Sequence, residues 1–365
     1  MAVLSDAQRE AGWTVVKLGD IAPLTYGKSL VASKRIPGDV PVYSSAGLID
    51  SHNESIIDGQ NIIIGRKGTI GSITWSEGPA YPIDTTFYTA GTEKVNIKYL
   101  YYLLKTYKFS EMNTDSAVPG LNRVTFESQE AVLPPLEEQE RIAGILGSLD
   151  DKIEANTRLI QTLLDTADSV FQKFYSECEL SESTYASLEV YGGGTPSTKN
   201  EMYWGGDIHW LTPTDVTSLG SPILFDTARK LTEDGLNACS SKLHPAGSIM
   251  MTSRATIGAF AINQYPAATN QGFIVAVPQR EEERWWIYHH MKKDVPEMIN
   301  SANGTTFLEI SRRTFKGLPY GSLSDENLDR FHAVVNPLYE LVKSSEQENL
   351  QLASTRDALI KRLIG

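Results

Sequence analysis

From Ile142 onward the chain repeats a spacing of four and three residues, through Ile142, Leu146, Leu149, Ile153, Asn156, Ile160, Leu163, Ala167, Val170 and Phe174. A strict seven-residue repeat of this kind is the seam of a coiled coil. Pro134 and Pro135 open the helix where a missing amide donor costs nothing, and Glu137, Glu138 and Glu140 complement the positive end of its dipole. Nothing in residues 136–175 stops it, so at about 1.5 Å per residue it reaches roughly 60 Å.

A helix that long cannot bury its seam on itself, and it requires a partner of similar length. The C-terminal stretch supplies one. Leu328, Phe331, Val335, Leu338 and Val342 keep the same stepping, and Leu352, Leu359 and Leu363 resume it after polar Ser345 and Asn349. Asn156 and Asn349 lie near the two seams. A buried polar residue there sets register and partner number at some cost in stability; the alternative is a solvated Asn349 and a tolerated Asn156. Pro337 interrupts the second helix and predicts a kink or a shorter first segment. The chain is thereby divided into a globular piece at 1–135, a helix at 136–177, a second globular piece at 178–319 and a second helix at 320–365.

The globular pieces are related. Residues 59–80, GQNIIIGRKGTIGSITWSEGPA, align without a gap with residues 246–267, AGSIMMTSRATIGAFAINQYPA, placing Thr69-Ile70-Gly71 on Thr256-Ile257-Gly258. Further on, Ser116-Ala117 matches Ser301-Ala302, Thr125-Phe126 matches Thr314-Phe315, and Leu133-Pro134 matches Leu318-Pro319. Two copies of domain plus helix make a pseudo-two-fold chain. Short β-type runs at 41–43, 61–64 and 70–75, followed by helical periodicity at 96–108, make each copy an α+β domain. The predicted fold is α+β, with two tandem pseudo-repeated domains separated by two long antiparallel coiled-coil helices. Two similar surfaces at a fixed separation suit a duplex, whose half-sites lie roughly 34 Å or multiples of that apart.

Hydrophobic residues at 41% and aromatics at 9% suffice for two cores. No basic leader and no long apolar run are present, so a cytoplasmic chain with no membrane segment is expected. Cys178 and Cys239 lack metal-ligand spacing, and reduced thiols are expected. The net charge of −12 argues against nucleic acid at first sight. However, residues 136–177 hold 9 acids and 4 bases, while residues 191–317 hold 12 of each, so the globular pieces retain the means to present basic faces.

Candidate contact residues follow from residue type, since Lys and Arg bind phosphate or guanine edges and hydroxyls position the backbone. The first piece offers Lys28, Lys34 and Arg35, then Tyr43, Ser44 and Ser45, the basic hairpin tip Arg66 and Lys67, and Arg123. The second offers Thr195, Ser197 and Lys199, then Thr212, Thr214 and Asp215, the tip residue Arg254, and the cluster Arg312, Arg313 and Lys316. A solvated hairpin tip is the plainer reading of each basic loop, but recurrence in both copies favours function. Trp204 and Trp210 read as core, and His289-His290 as a surface feature. Catalytic signatures are thin: Asn336-Pro337-Leu338-Tyr339 half resembles an adenine methyltransferase motif but lies in the helical seam, and Tyr191-Gly192-Gly193-Gly194 lacks the Gly-Lys-Ser/Thr of a phosphate loop. No metal set is expected.

Four blocks carry a resemblance over essentially the whole chain: residues 12–21, opening Gly12-Trp13; GTPS at 194–197 with WLTPTD at 210–215; LPPLEEQERI at 133–142; and RDALIKRLIG at 356–365. With the duplication, the chain resembles the specificity subunit of type I restriction-modification enzymes. The resemblance implies that each globular piece is a target recognition domain reading one half of a split double-stranded DNA sequence, and that the chain performs no chemistry. It implies that the helices space the halves and dock two methylation subunits, with restriction subunits joining the complex. S-adenosylmethionine, ATP and Mg would then be carried by those partners. The seam residues Ile142, Leu146, Leu149, Ile153, Asn156, Ile160, Leu163, Leu352, Leu359 and Leu363 would form the subunit interface. The rival reading is a coiled-coil adaptor whose domains bind something other than DNA.

Overall fold

A computed structural model describes residues 4–112, 120–304 and 308–365. The chain divides into two compact units, Met1–Lys152 with Gln351–Gly365, and Ile153–Leu350. Both long helices, Leu136–Glu177 and Asp325–Leu363, cross this division.

In the first unit the strands run β1 Thr14–Lys17, β2 Thr25–Tyr26, β3 Val40–Ser44, β4 Gly47–His52, β5 Asn61–Gly65, β6 Ile73–Ser76, β7 Tyr81–Pro82, β8 Thr86–Thr89 and β9 Glu130–Leu133. They form a four-stranded sheet in the order β2-β8-β5-β6, a three-stranded sheet β4-β3-β7 and a ribbon β1-β9. The expected strand over 70–75 begins only at Ile73, because Gly71 takes φ +74 and turns the chain. Ile62, Ile64 and Phe87 pack against Tyr99, Leu100 and Leu103 of the helix Ile97–Lys105 and against Ile142, Leu146 and Ile360 of the long helices. Asn96 caps that helix, its side-chain oxygen accepting the Tyr99 N–H at 3.0 Å. Gln139 of the LPPLEEQERI block explains part of that motif: it accepts the Asn96 N–H at 2.8 Å and donates to the Pro134 carbonyl at 2.8 Å. Asp150 and Arg356 pair across the helices at 2.6 Å.

The second unit repeats the plan with β10 Ser181–Thr184, β11 Glu189–Gly192, β12 Trp204–Leu211, β13 Ile223–Leu224, β14 Arg229–Leu231, β15 Ile249–Thr252, β16 Phe260–Asn263, β17 Ala267–Thr269, β18 Phe273–Val277 and β19 Pro319–Ser322. The sheets are β11-β18-β15-β16-β13 and β14-β12-β17, with the ribbon β10-β19. β3 pairs with β7, and β12 with β17, in parallel. The ribbons correct one expected match. Leu18 N–H donates to Gln129 O and Tyr185 N–H to Leu318 O, so Leu318 corresponds to Gln129, and Leu133, paired with Thr14, corresponds to Ser322, paired with Ser181. The shared Leu-Pro dipeptide misled because pairing register, not residue identity, defines equivalence in a ribbon. Of the Ser116-Ala117 match, Ser116 and Ala117 lie outside the described residues.

In this unit the helices meet along an antiparallel seam with Ile160, Ala167 and Phe171 on one side and Leu328, Phe331, Val335 and Val342 on the other. Asn156 is buried, and its amide donates to Glu348 at 2.7 Å and to the Asn349 side chain at 3.0 Å. The two asparagines therefore meet, as a register device requires. Pro337 does not interrupt the second helix, which runs unbroken from Asp325 to Leu363. Buried Val335 and Tyr339 hold the flanking turns, while Ala333 and Pro337 are exposed, so water can serve the carbonyl that lost its donor.

His289 and His290 are not on the surface. In the helix Glu283–Lys293 all seven residues from Trp285 to Met291 are buried, leaving the two histidines 1% and 2% exposed. Tyr339 and Asp168 flank His289 at 3.0 Å each, and His290 Nδ1 meets the Tyr185 hydroxyl at 2.8 Å. Desolvation disfavours the charged imidazole, and burial holds the His289 pKa below its ordinary value against the pull of Asp168. Asn336 and Tyr339, the half-match to a methyltransferase motif, serve packing: Asn336 accepts the Trp285 indole N–H at 2.8 Å and Tyr339 stacks on Trp285 at 3.6 Å.

Candidate nucleic-acid interface

The basic loops occupy the same place in both units. Residues 66–72 leave β5 and residues 253–259 leave β15, each returning as an antiparallel neighbour. Three backbone bonds recur. Gly71 N–H donates to Gly65 O at 2.8 Å, and Gly258 N–H to Thr252 O at 3.0 Å. Arg66 N–H reaches Thr85 O at 2.9 Å, as Ser253 N–H reaches Gly272 O at 2.8 Å. The Arg66 carbonyl accepts from Leu121 at 2.8 Å, and the Ser253 carbonyl from Ile310 at 3.1 Å. Even the left-handed positions coincide, at Gly68 (φ +77) and Ala255 (φ +58), and at Gly71 (φ +74) and Gly258 (φ +91).

Around the first loop the structure gathers Lys28, Ser44, Ser45, Arg66 and Lys67. Lys28 N–H donates to Pro82 O at 3.1 Å, and Ser45 links the loop to Thr85, accepting from the Ser72 hydroxyl at 2.6 Å while its own N–H donates to Thr85 Oγ1 at 3.3 Å. Ser45 is itself buried and bonds through its backbone, and the Ser44 hydroxyl accepts the Ala46 N–H at 3.1 Å, so Ser44 shapes a turn. Tyr43, half-buried at the end of β3, accepts from Ile83 through its carbonyl at 2.8 Å. Arg66 lies over the Tyr26 and Phe87 rings at 4.9 and 5.7 Å, which orients a guanidinium without neutralising it. Lys67 is exposed. Lys34 and Arg35 belong to a separate stretch, where Arg35 pairs with Asp50 at 3.0 Å. Arg123 starts the short helix after Leu121 and pairs with Glu127 at 2.7 Å.

In the second unit Arg254 pairs with Glu309 at 2.7 Å. Arg312, at the equivalent of Arg123, passes above Gly192, with Arg313 exposed and Lys316 half-buried on the same short helix. Thr195, Ser197 and Lys199 are exposed on a loop over β17. Thr212 and Asp215 form a capping box, Asp215 accepting from the Thr212 N–H and hydroxyl at 2.8 and 2.6 Å and from Ala228 N–H at 2.9 Å, which leaves Thr214 as the exposed member. The Thr-x-x-Asp spacing at 212–215 was a legible sign of that cap.

The type I restriction modification DNA specificity domain matches residues 10–165 and again 188–319. The chain belongs to this family. The MjaIX specificity subunit of Methanocaldococcus jannaschii is 35% identical over 163 residues, 44% of this chain and 38% of that one. The HindI specificity subunit of Haemophilus influenzae is 24% identical over 73% of this chain and 76% of its own length. The solved S subunit of M. genitalium shares the fold with a TM-score of 0.62, covering 100% of this chain and 98% of that chain at 15% identity.

Within this specificity-domain chain the seam residues face their own helices. Ile142, Leu146, Asn156 and Ile160 are buried, and Leu149, Ile153, Leu163, Leu352, Leu359 and Leu363 are half-buried. Ile142, Leu146, Leu359 and Leu363 pack in the core of the first unit, and Ile160 and Leu163 in that of the second. Among the described residues no cluster is suited to a metal, and no helix is long and apolar enough to cross a membrane. Two tryptophans escaped the sequence reading as site elements. Trp210 is core, as expected, yet Trp204 and Trp210 both donate indole N–H bonds to the 194–199 loop. Their position directly after that loop was the available signal.

Proposed function

We propose that this chain is the sequence-reading subunit of a type I restriction-modification complex, each unit reading one half of a bipartite duplex target. The supporting observation is the pair of basic loops held on the same three backbone hydrogen bonds in both units. One frame carries different side chains: Arg66 over aromatic rings with Lys67 exposed beside it in one, Arg254 paired with Glu309 in the other. That combination suits two half-sites of different sequence. In the complex the helices set the gap between half-sites, two methylation subunits dock on the chain, and restriction subunits join through them. S-adenosylmethionine would sit on the methylation subunits, and ATP with Mg on the restriction subunits; the chain itself supplies recognition without catalysis.

The test is genome-wide adenine methylation in cells carrying the chain and its methylation subunit, compared with cells lacking the chain. One split motif with a fixed gap is expected. With the complex shown to assemble, absence of any new motif would instead support the adaptor reading.

A further inference from the structure

Resting on that reading, we propose that Trp204 and Trp210 are positioning residues for the second half-site, acting through the loop Gly194–Asn200. Trp204 Nε1 donates to the Ser197 carbonyl at 3.3 Å, and Trp210 Nε1 to the Gly194 carbonyl at 3.1 Å. Indole N–H is a donor only, so each bond has one direction and requires a carbonyl turned inward. The loop backbone is tied further by Gly194 N–H to Thr269 O at 2.9 Å and Asn200 N–H to Ser197 O at 3.3 Å. With its carbonyls inward, the loop leaves Thr195, Ser197, Thr198 and Lys199 exposed.

The indoles are themselves immobilised. They meet edge to face, with centroids 4.9 Å apart and planes at 77°. Trp210 packs with Leu231 and Ala268, and the Arg229 guanidinium sits 3.4 Å from the Trp204 ring centre. A rigid aromatic pair thus fixes a polar, exposed segment that has no core of its own. The corresponding loop of the first unit is held by other means: Ile36 N–H donates to His52 Nδ1 at 3.0 Å, and Arg35 pairs with Asp50. The clamp therefore acts on one half-site only.

Trp204→Phe and Trp210→Phe, made in the full chain and assembled with the methylation subunit, remove the donors and keep aromatic rings. A net hydrogen bond of ordinary strength corresponds to about a 5-fold change in an equilibrium. Each variant should speed amide exchange in residues 194–200 about 5-fold and weaken discrimination in the second half of the methylated motif by a similar factor, with the first half unchanged. Arg229→Ala, at the surface, should produce the same one-sided loss at smaller size without touching the core. Unchanged exchange and an unchanged motif in all three variants would overturn the clamp while leaving the recognition function standing. Equal loss at both halves would also overturn it. Absence of a split motif with the unaltered chain would defeat the underlying reading, and the clamp's role with it.

Discussion

The two recognition units differ least where the backbone turns and most where side chains hold the neighbouring segments. Gly71 and Gly258 close the same turn, whereas the loop following Gly27 is anchored on His52 and Asp50 and the one following Gly193 on two indoles. The backbone frame is constrained by sheet hydrogen bonding, which tolerates no change of register. Anchors are free to diverge, since many side chains can satisfy one carbonyl or amide. Sequence specificity is therefore free to change without disturbing the fold.

The sharpest way to break this comparison is at the shared frame. A Cβ on Gly27 would run into the Ile83 carbonyl, and one on Gly193 into the Asn270 carbonyl, both of which are backbone atoms. Gly27→Ala and Gly193→Ala should each cost about 3 kcal/mol in their own unit. Hydrogen exchange read separately over the two units checks this; equal protection loss in both would contradict independent frames.

A second contrast is Ile57 against His244, which make the same bridge to Ala80 and Ala267. His244 is 2% exposed with an unpartnered Nε2, and burial, aided by Lys242, pushes its pKa down to about 4. The folded unit holds it neutral while the unfolded chain, near 6.5, takes up a proton. Its contribution is therefore full above about pH 6.5 and is lost as pH falls toward 4. His244→Ile should flatten that part of the pH dependence and add about 1 kcal/mol at neutral pH, seen in denaturant titrations across pH. An unaltered acid limb would assign the sensitivity elsewhere, His289 being the next buried imidazole.

At the basic tips, Arg66→Ala with Lys67→Ala should weaken target binding by about 1–3 kcal/mol and relax one half-site only. Arg254→Ala should act on the other half. Loss spread over both halves for either variant would remove that tip from base reading. A small effect is expected at the left-handed turn position. Gly68→Ala should cost about 1 kcal/mol and Ala255→Gly should gain up to about 1 kcal/mol, measured by thermal unfolding.

Much of this organisation was readable from residue order. The four-three spacing specified two long helices and placed Asn156 and Asn349 near their seams, because helix periodicity is local and repeats every turn; that the two meet as a register device is one of two readings, and the structure chose it. The ungapped match of residues 59–80 with 246–267 located both basic loops, since a glycine at a left-handed position leaves a visible trace. What residue order left undecided was long-range. Whether His289 and His290 faced water depended on the helix Leu136–Glu177, more than a hundred residues away, and the helix Asp325–Leu363 closing over them. Whether Trp204 and Trp210 only filled space or also held a loop depended on where their indole N–H groups pointed. A residue's type states which bonds it can make; the packing of distant segments selects the partner that receives them.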